Sequence, residues 1–331
     1  EGDDRAGSRS PQYTTLALTT KGTMNAPDLS DRAILITGGA GFIGGHLAER
    51  LVADNEVRVI DDLSAGRREH VPDGAELIVG DVREEDALER AMAGVDVVFH
   101  EAAVISVEET VAQPTATHHV NVDGTLQVLE AARKQDARVV VASSAAIYGH
   151  PETVPIAEDA PKSPTSPYGI DKLAIDHYAR RYHDLYGLET VALRYFNVYG
   201  PRQGASDYSG VIDVFFEQAE AGGPITVEGD GSQTRDFVHV DDIVDANLLA
   251  ATTDRVGEAF NVATGTETSI LQLAETVREI TNTDVEITHT DPREGDIDRS
   301  CADVTLASDR LGFESTVALE EGLERLSEVR F

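Results

Sequence analysis

Positive charge is scarce in this 331-residue chain: 27 Lys and Arg stand against 60 Asp and Glu, a formal net charge of −33. A phosphate-binding surface needs clustered Lys and Arg, so the balance argues against nucleic acid and against an anionic membrane surface. Lysine is the rarer cation, present only as Lys21, Lys134, Lys162 and Lys172. The single cysteine, Cys301, excludes an internal disulfide and a Cys-based zinc cluster. No apolar run reaches the roughly 20 residues of a membrane-spanning helix. No His/Asp/Glu cluster has ligand spacing, so no metal is implied. Residues 1–30 are rich in Ser, Thr, Gly, Asp and Pro and lack the apolar core of a signal peptide. They read as a disordered leader, with Met24 as an alternative start, on a cytoplasmic protein.

The acids are spread along the whole chain rather than gathered in a tail. That pattern predicts a folded protein whose acidic surface needs salt to screen its self-repulsion. Low Lys with high Asp and Glu resembles proteins of salt-accumulating organisms, an ordinary acidic cytosolic enzyme being the alternative.

The length suits one large α/β unit with a smaller attached region. Ala33–Thr37, Val57–Asp61, Glu76–Gly80, Val95–His100 and Arg138–Ser144 read as buried strands. Helix-length segments alternate with them: Phe42–Ala53, Glu84–Ala93 and Thr115–Gln135. The alternation predicts a doubly wound, Rossmann-like parallel sheet with helices on both faces. After Tyr195 the rhythm loosens, although Phe260–Ala263 still reads as a strand. The expected division is a dinucleotide-binding domain over 31–195, also receiving about 236–264, and a smaller α/β substrate-binding region from 196–235 and 265–331.

Gly38, Gly41 and Gly44 in ILITGGAGFIGGHL follow the first strand and open a helix. Such spacing permits a tight turn, close approach of a pyrophosphate to backbone, and close helix–strand packing, with Phe42 and Ile43 supplying N-terminal amides. The second strand ends in Asp61, placed to grip the adenosine ribose hydroxyls. Asp61 and Asp62 together would repel a 2′-phosphate, which favours NAD over NADP. Asp81 and Val82 close the next strand, where the adenine edge would lie.

In YGIDK, Tyr168 and Lys172 stand four residues apart on a helix that Ser166 caps, Pro167 begins and Gly187 ends. A free tyrosine, with a pKa of about 10, is a poor base near neutrality. A nearby ammonium and a positive nicotinamide ring favour its phenolate. Lysine suits the position as a compact charge with rotatable donors. Ser143 and Ser144 close a strand at the carboxyl edge of the sheet, where ligands bind in such folds.

Six motifs in order, TGGAGFIGGHL, SSAAIYG, YGIDK, LRYFNVYGPRQ, GDGSQTRDFVHVDD and REGDIDRSCAD, make the chain resemble the extended short-chain dehydrogenase/reductases. Within them it looks like a nucleotide-sugar 4-epimerase of the UDP-glucose 4-epimerase type, from about Arg32 to the end. The resemblance implies Ser144, Tyr168 and Lys172 as the catalytic group, with Ser144 on the sugar O4. It implies His100 to Ala103, Ala102 among them, with Asn121 and Ser143 on the cofactor side, and Tyr195 and Phe196 beside the nicotinamide. Asn197 would hold a substrate oxygen, and Arg235 and Arg293 would clamp diphosphate and uridine.

Ser300 stands where glucose- and galactose-restricted relatives carry tyrosine, which implies room for a 2-N-acetyl group. The helices Thr115–Gln135 and Ser166–Tyr186 resemble the family's dimerising pair, implying a homodimer. Dehydratase relatives carry Asp-Glu after the catalytic hydroxyl residue, and decarboxylases a glutamate; Ala145 and Ala146 stand there instead and cannot transfer protons. Other expectations left open are an epimerase or dehydratase acting on UDP-glucuronate or a dTDP-sugar, and a silent NAD-binding scaffold.

Overall fold

The computed structural model describes residues 29–203, 210–293 and 295–330. The leader expected over 1–30, Met24 included, thus lies almost wholly outside the described residues. Leu29 is within them and packs into the sheet core.

The first half alternates as expected: β1 (Ala33–Thr37), α1 (Phe42–Leu51), β2 (Glu56–Asp61), β3 (Glu76–Val79), α2 (Glu85–Met92) and β4 (Val97–His100). Two short helices, α3 (Val107–Ala112) and α4 (Pro114–His118), lead through a π turn at His119–Asp123 into α5 (Gly124–Gln135). Then come β5 (Arg138–Ser144), α6 (Pro167–Tyr186), β6 (Thr190–Tyr195) and β7 (Asn197–Tyr199). Beyond lie α7 (Val211–Glu220), β8 (Ile225–Glu228), β9 (Thr234–Arg235), β10 (Phe237–His239), α8 (Val240–Thr252) and β11 (Glu258–Val262). The chain closes with β12 (Thr268–Ser269), α9 (Ile270–Ile280), β13 (Ile287–Thr290) and α10 (Leu319–Arg330).

Seven strands form one sheet in the order β3-β2-β1-β4-β5-β6-β11. Every pair in it is parallel. The strand order reverses between β1 and β4, so the loops leaving their carboxyl ends diverge and open a crevice. The strands are apolar on both sides because helices cover both faces. Ile34, Ile36, Val57, Val59 and Phe99 pack on one face with Leu47 of α1 and Ile243 of α8. Leu35, Ile60, Val98, Val139 and Val141 pack on the other with Leu129 of α5 and Ile175 of α6. Each such side chain contributes about 1.5–3 kcal/mol on full burial.

The helix carrying Tyr168 and Lys172 is set by its ends. Ser166 Oγ accepts the Gly169 N–H at 3.1 Å, Pro167 opens the first turn, and Gly187 closes the helix at φ +73°. Such a serine cap stabilises a helix by about 1 kcal/mol.

A second apolar core gathers Tyr199, Phe215, Phe216, Val227, Phe237, Leu273 and Leu323. The chain leaves the sheet for this core at Tyr199 and returns at Val238. It leaves again at Ile270, returns at Ala307, and ends in the second core with Leu323. The expectation that 265–331 belongs wholly to the smaller region is corrected here: Ala307, Leu311 and Phe313 pack on the sheet. Their apolarity alone did not reveal which core they would join. Among the described residues no helix is long and apolar enough to cross a membrane.

Candidate active site

The loop between β1 and α1 is shaped by glycine. Gly38 has φ +67°, and a Cβ there would lie 2.7 Å from the Ala102 nitrogen. A Cβ on Gly44 would lie 2.4 Å from the Gly38 oxygen, so the helix seats against the turn only without one. The N-cap, Gly41, offers no side-chain cap, and the first turn of α1 holds no acid. The amide ends of Phe42 and Ile43, with the positive end of the helix dipole, therefore meet no carboxylate of their own helix.

Asp61 is buried at the end of β2 and accepts the Ala40 and Leu63 N–H groups at 3.0 and 2.8 Å. Burial pushes its pKa up, opposed by those two bonds. Asp62 beside it is exposed and accepts from Ser64. Asp81 takes the Arg83 guanidinium, and Val82 is buried. An acid-free helix N-terminus and a buried acid one strand away fit the pyrophosphate and ribose of a dinucleotide.

Strand register brings together the residues expected to form the reacting centre. β5 and β6 pair so that Ser144 lies opposite Tyr195 at the carboxyl edge. The Ser144 side chain stands beside Tyr168 on α6 and favours its phenolate. Lys172, one turn on, is buried; its Nζ donates to the Ala142 carbonyl at 2.8 Å and lies 5.9 Å from the Tyr168 ring centre. Burial lowers the Lys172 pKa to about 8, opposed by Glu101 and Asp171. Burial raises that of Tyr168, Ser144 pulls it down, and Glu101 adds to the rise. The net direction for Tyr168 is upward, opposite to the expectation from a neighbouring ammonium, because dehydration of the phenolate outweighs the groups that favour it.

Three residues expected on the cofactor side turn their side chains elsewhere. His100 is buried between Thr37 and Thr125, its ring nitrogens 2.7 and 2.8 Å from their hydroxyls. Thr37 is its register partner across β1 and β4, so the ring ties β1, β4 and α5 together beneath the crevice. Ser143 alternates with Ser144 and faces inward, its hydroxyl 3.3 Å from Asp176. Asn121 is buried in the π turn; its amide accepts the Val104 N–H at 2.7 Å and donates to the Val104 carbonyl at 3.1 Å. It clamps the loop after β4, whose Ala102 and Ala103 stay half-buried.

On the side of the second core, Phe196 is buried against Tyr148, ring centres 6.5 Å apart, and Asn197 is half-buried at the start of β7. Arg235 pairs with Asp296 at 2.5 Å and donates to the Ile297 carbonyl at 2.6 Å. Arg293 is exposed in a cleft shared with His289, Asp296 and Arg299. Ser300 is buried rather than solvated, its amide donating to the Thr234 carbonyl at 3.1 Å. Motif matching passed over Asn247 and gave Glu101 and Asp236 no role of their own. Asp236 is fully buried and accepts from the amides of Thr264, Gly265 and Ala302 and from the Thr264 hydroxyl, fastening two distant segments to one carboxylate. Its place just before an apolar FV pair was the one available signal.

Residues 34–263 match the model of the NAD dependent epimerase/dehydratase family. The chain belongs to that family. Its cofactor is NAD, in keeping with the loop and acid described above. A UDP-glucose 4-epimerase of Mycolicibacterium smegmatis is 41% identical over 304 residues, covering 89% of this chain and 97% of that one. A solved UDP-N-acetylglucosamine 4-epimerase of Methanobrevibacter ruminantium M1, in complex with UDP-N-acetylmuramic acid, aligns at TM-score 0.87 and 36% identity over 91% of this chain and 98% of that one. The UDP-glucose 4-epimerase of Thermotoga maritima with UDP-glucose gives TM-score 0.86 and 39% identity, over 89% and 97%. Among the described residues no group of three or more His, Cys, Asp or Glu is placed to hold a metal ion.

Proposed function

We propose that the chain is a UDP-hexose 4-epimerase that interconverts UDP-glucose and UDP-galactose and also accepts the N-acetyl pair. One observation carries the reading: Ser144, Tyr168 and Lys172 converge at the crevice, while Ala145 and Ala146 occupy the turn just after Ser144. A proton-transfer carboxylate there would serve elimination; methyl groups leave oxidation and reduction at C4 as the available chemistry.

Tyr168 acts as the base that takes the O4 proton, and returns it once the sugar has turned over. Ser144 hydrogen bonds the same oxygen and the phenol, holding both in line. NAD, when bound, supplies the acceptor and then the donor of the C4 hydride. Lys172, fixed by the Ala142 carbonyl, contributes positive charge beside the phenol and a donor for ribose hydroxyls. Gly38, Gly41, Phe42, Ile43 and Gly44 hold the pyrophosphate, Asp61 and Asp62 the ribose, and Asp81 and Val82 border the adenine. Ala102, Ala103 and Tyr195 line the nicotinamide side, with His100, Asn121 and Ser143 supporting from behind. Phe196, Asn197, Arg235 and Arg293 meet the nucleotide sugar. For Arg235 this requires release from Asp296, an exchange of one anion for another.

A serine rather than a bulky tyrosine at position 300 supports acceptance of N-acetylhexosamines. Exposed Ile170 and Tyr178 of α6, with Val107 and Val111 of the adjoining α3, support a homodimer built on this face, which we place in the cytoplasm. The acidic surface supports a salt-requiring enzyme.

The test uses purified protein in molar KCl without added NAD, supplied separately with UDP-galactose and UDP-N-acetylglucosamine, products resolved by NMR. Conversion to the C4 epimers is expected. Ser300→Tyr is expected to abolish N-acetyl conversion while sparing UDP-galactose. No epimer from either sugar, even with NAD added, overturns the reading.

A further inference from the structure

Glu101 acts electrostatically on both Tyr168 and Lys172, and the mechanism above leaves it unused. It follows β4 directly, its amide held by the Thr37 carbonyl at 3.2 Å. Its Oε1 lies 2.9 Å from the Tyr195 hydroxyl, and that hydroxyl lies 2.8 Å from Asn247 Nδ2. The direction of this chain is fixed by its far end. Asn247 Nδ2 also faces the Ile243 carbonyl at 2.9 Å, and a carbonyl only accepts, so the nitrogen must be there. Tyr195 therefore accepts from Asn247 and directs its own proton at Glu101. Two elements, β6 and α8, are thus arranged to hold an acceptor at Glu101.

The groups facing that carboxylate are Lys172 and Tyr168 from α6 and Tyr195 from β6, with the uncharged Asn247 behind and Asp171 acting on Lys172. His100, one residue back, is neutral between its threonines. A carboxylate favours a neighbouring cation and disfavours a neighbouring anion. We propose that Glu101 is a positioning residue: held by Tyr195, its charge steadies Lys172 and the oxidised, positive nicotinamide, and sets the pH at which Tyr168 loses its proton. The proposal rests on the reading of Tyr168 as the base. It gives the site a means of keeping bound NAD oxidised between turnovers, so that hydride is returned to the sugar rather than retained. Burial raises the Glu101 pKa to about 7, opposed by Tyr195 and Lys172, so the charge itself responds to pH near neutrality.

The experiment titrates phenolate absorbance in the NAD-loaded protein, the Tyr168 signal being the difference from Tyr168→Phe. Glu101→Gln keeps an acceptor for Tyr195 and removes the charge. It should move the Tyr168 titration about one unit lower and cut the preference for NAD over NADH about tenfold, read by displacement of fluorescent NADH. Glu101→Asp should restore both. Tyr195→Phe, which removes the hydroxyl holding the carboxylate, should move the titration the same way by less, and it serves should Glu101→Gln fail to fold. A wild-type Tyr168 titration left unmoved by both variants overturns the role of Glu101 and leaves the base standing. No Tyr168 titration in the wild type overturns the base, and this proposal with it.

Discussion

Acid should loosen this protein through His100. The ring is 3% exposed and bridges Thr37 and Thr125, and burial drives its pKa from 6.5 down to about 3, with a further push from Lys172. In the unfolded chain it titrates near 6.5. Between those values the unfolded state binds a proton that the folded state refuses, so stability falls as pH falls below 6.5. The loss approaches about 1.4 kcal/mol per pH unit, or about 2 kcal/mol by pH 5. For a chain of this size that is about 4 °C in Tm. His100→Asn removes the titration and costs a fixed amount for the lost bridge, about 1–3 kcal/mol at every pH. Carboxylate effects are common to both proteins. The Tm gap between wild type and variant, followed by calorimetry in molar KCl, should therefore narrow by about 4 °C from pH 7 to pH 5. A gap that stays constant would refute the claim that His100 is held neutral.

Gly44→Ala places a Cβ 2.4 Å from the Gly38 carbonyl, so the purified variant should lose its retained NAD, measured as absorbance released on denaturation, while the far-ultraviolet dichroism persists. Ile170→Asp on α6, half exposed in the free chain, should shift sedimentation from dimer to monomer if this face joins two copies, by roughly 2–4 kcal/mol of lost apolar contact and buried charge. Unaltered sedimentation would place the dimer contact elsewhere.

Most of the framework was legible because its signals are local. Runs such as Val139–Val141 admit only a buried strand among helices, and Ser166, Pro167 and Gly187 mark both ends of α6 within a turn of where the chain bends. The short strands β7 to β10 carry too few residues to show a period, and β8 pairs with β13 across an unrelated stretch of chain. The site divides in the same way. Ser144, Tyr168 and Lys172 are readable from strand end and helix spacing. His100, Ser143 and Asn121 were assigned by motif position, which says nothing of side-chain direction; the two-residue alternation of β5 decides Ser143 and the π turn decides Asn121. The tie of Glu101 to Tyr195 was not legible because it depends on Tyr195 and Asn247, far away in the chain and adjacent only once β6 and α8 are in place.

The repeated passage of the chain between its two apolar cores limits how such a molecule can diversify. Neither core is one continuous stretch, so no single point of recombination exchanges the second core while keeping the sheet. A lineage built on this thread would diversify by editing the segments hung between Tyr199 and Asp236 and between Ala263 and Ala302, whose ends the sheet and the Asp236 carboxylate keep in place.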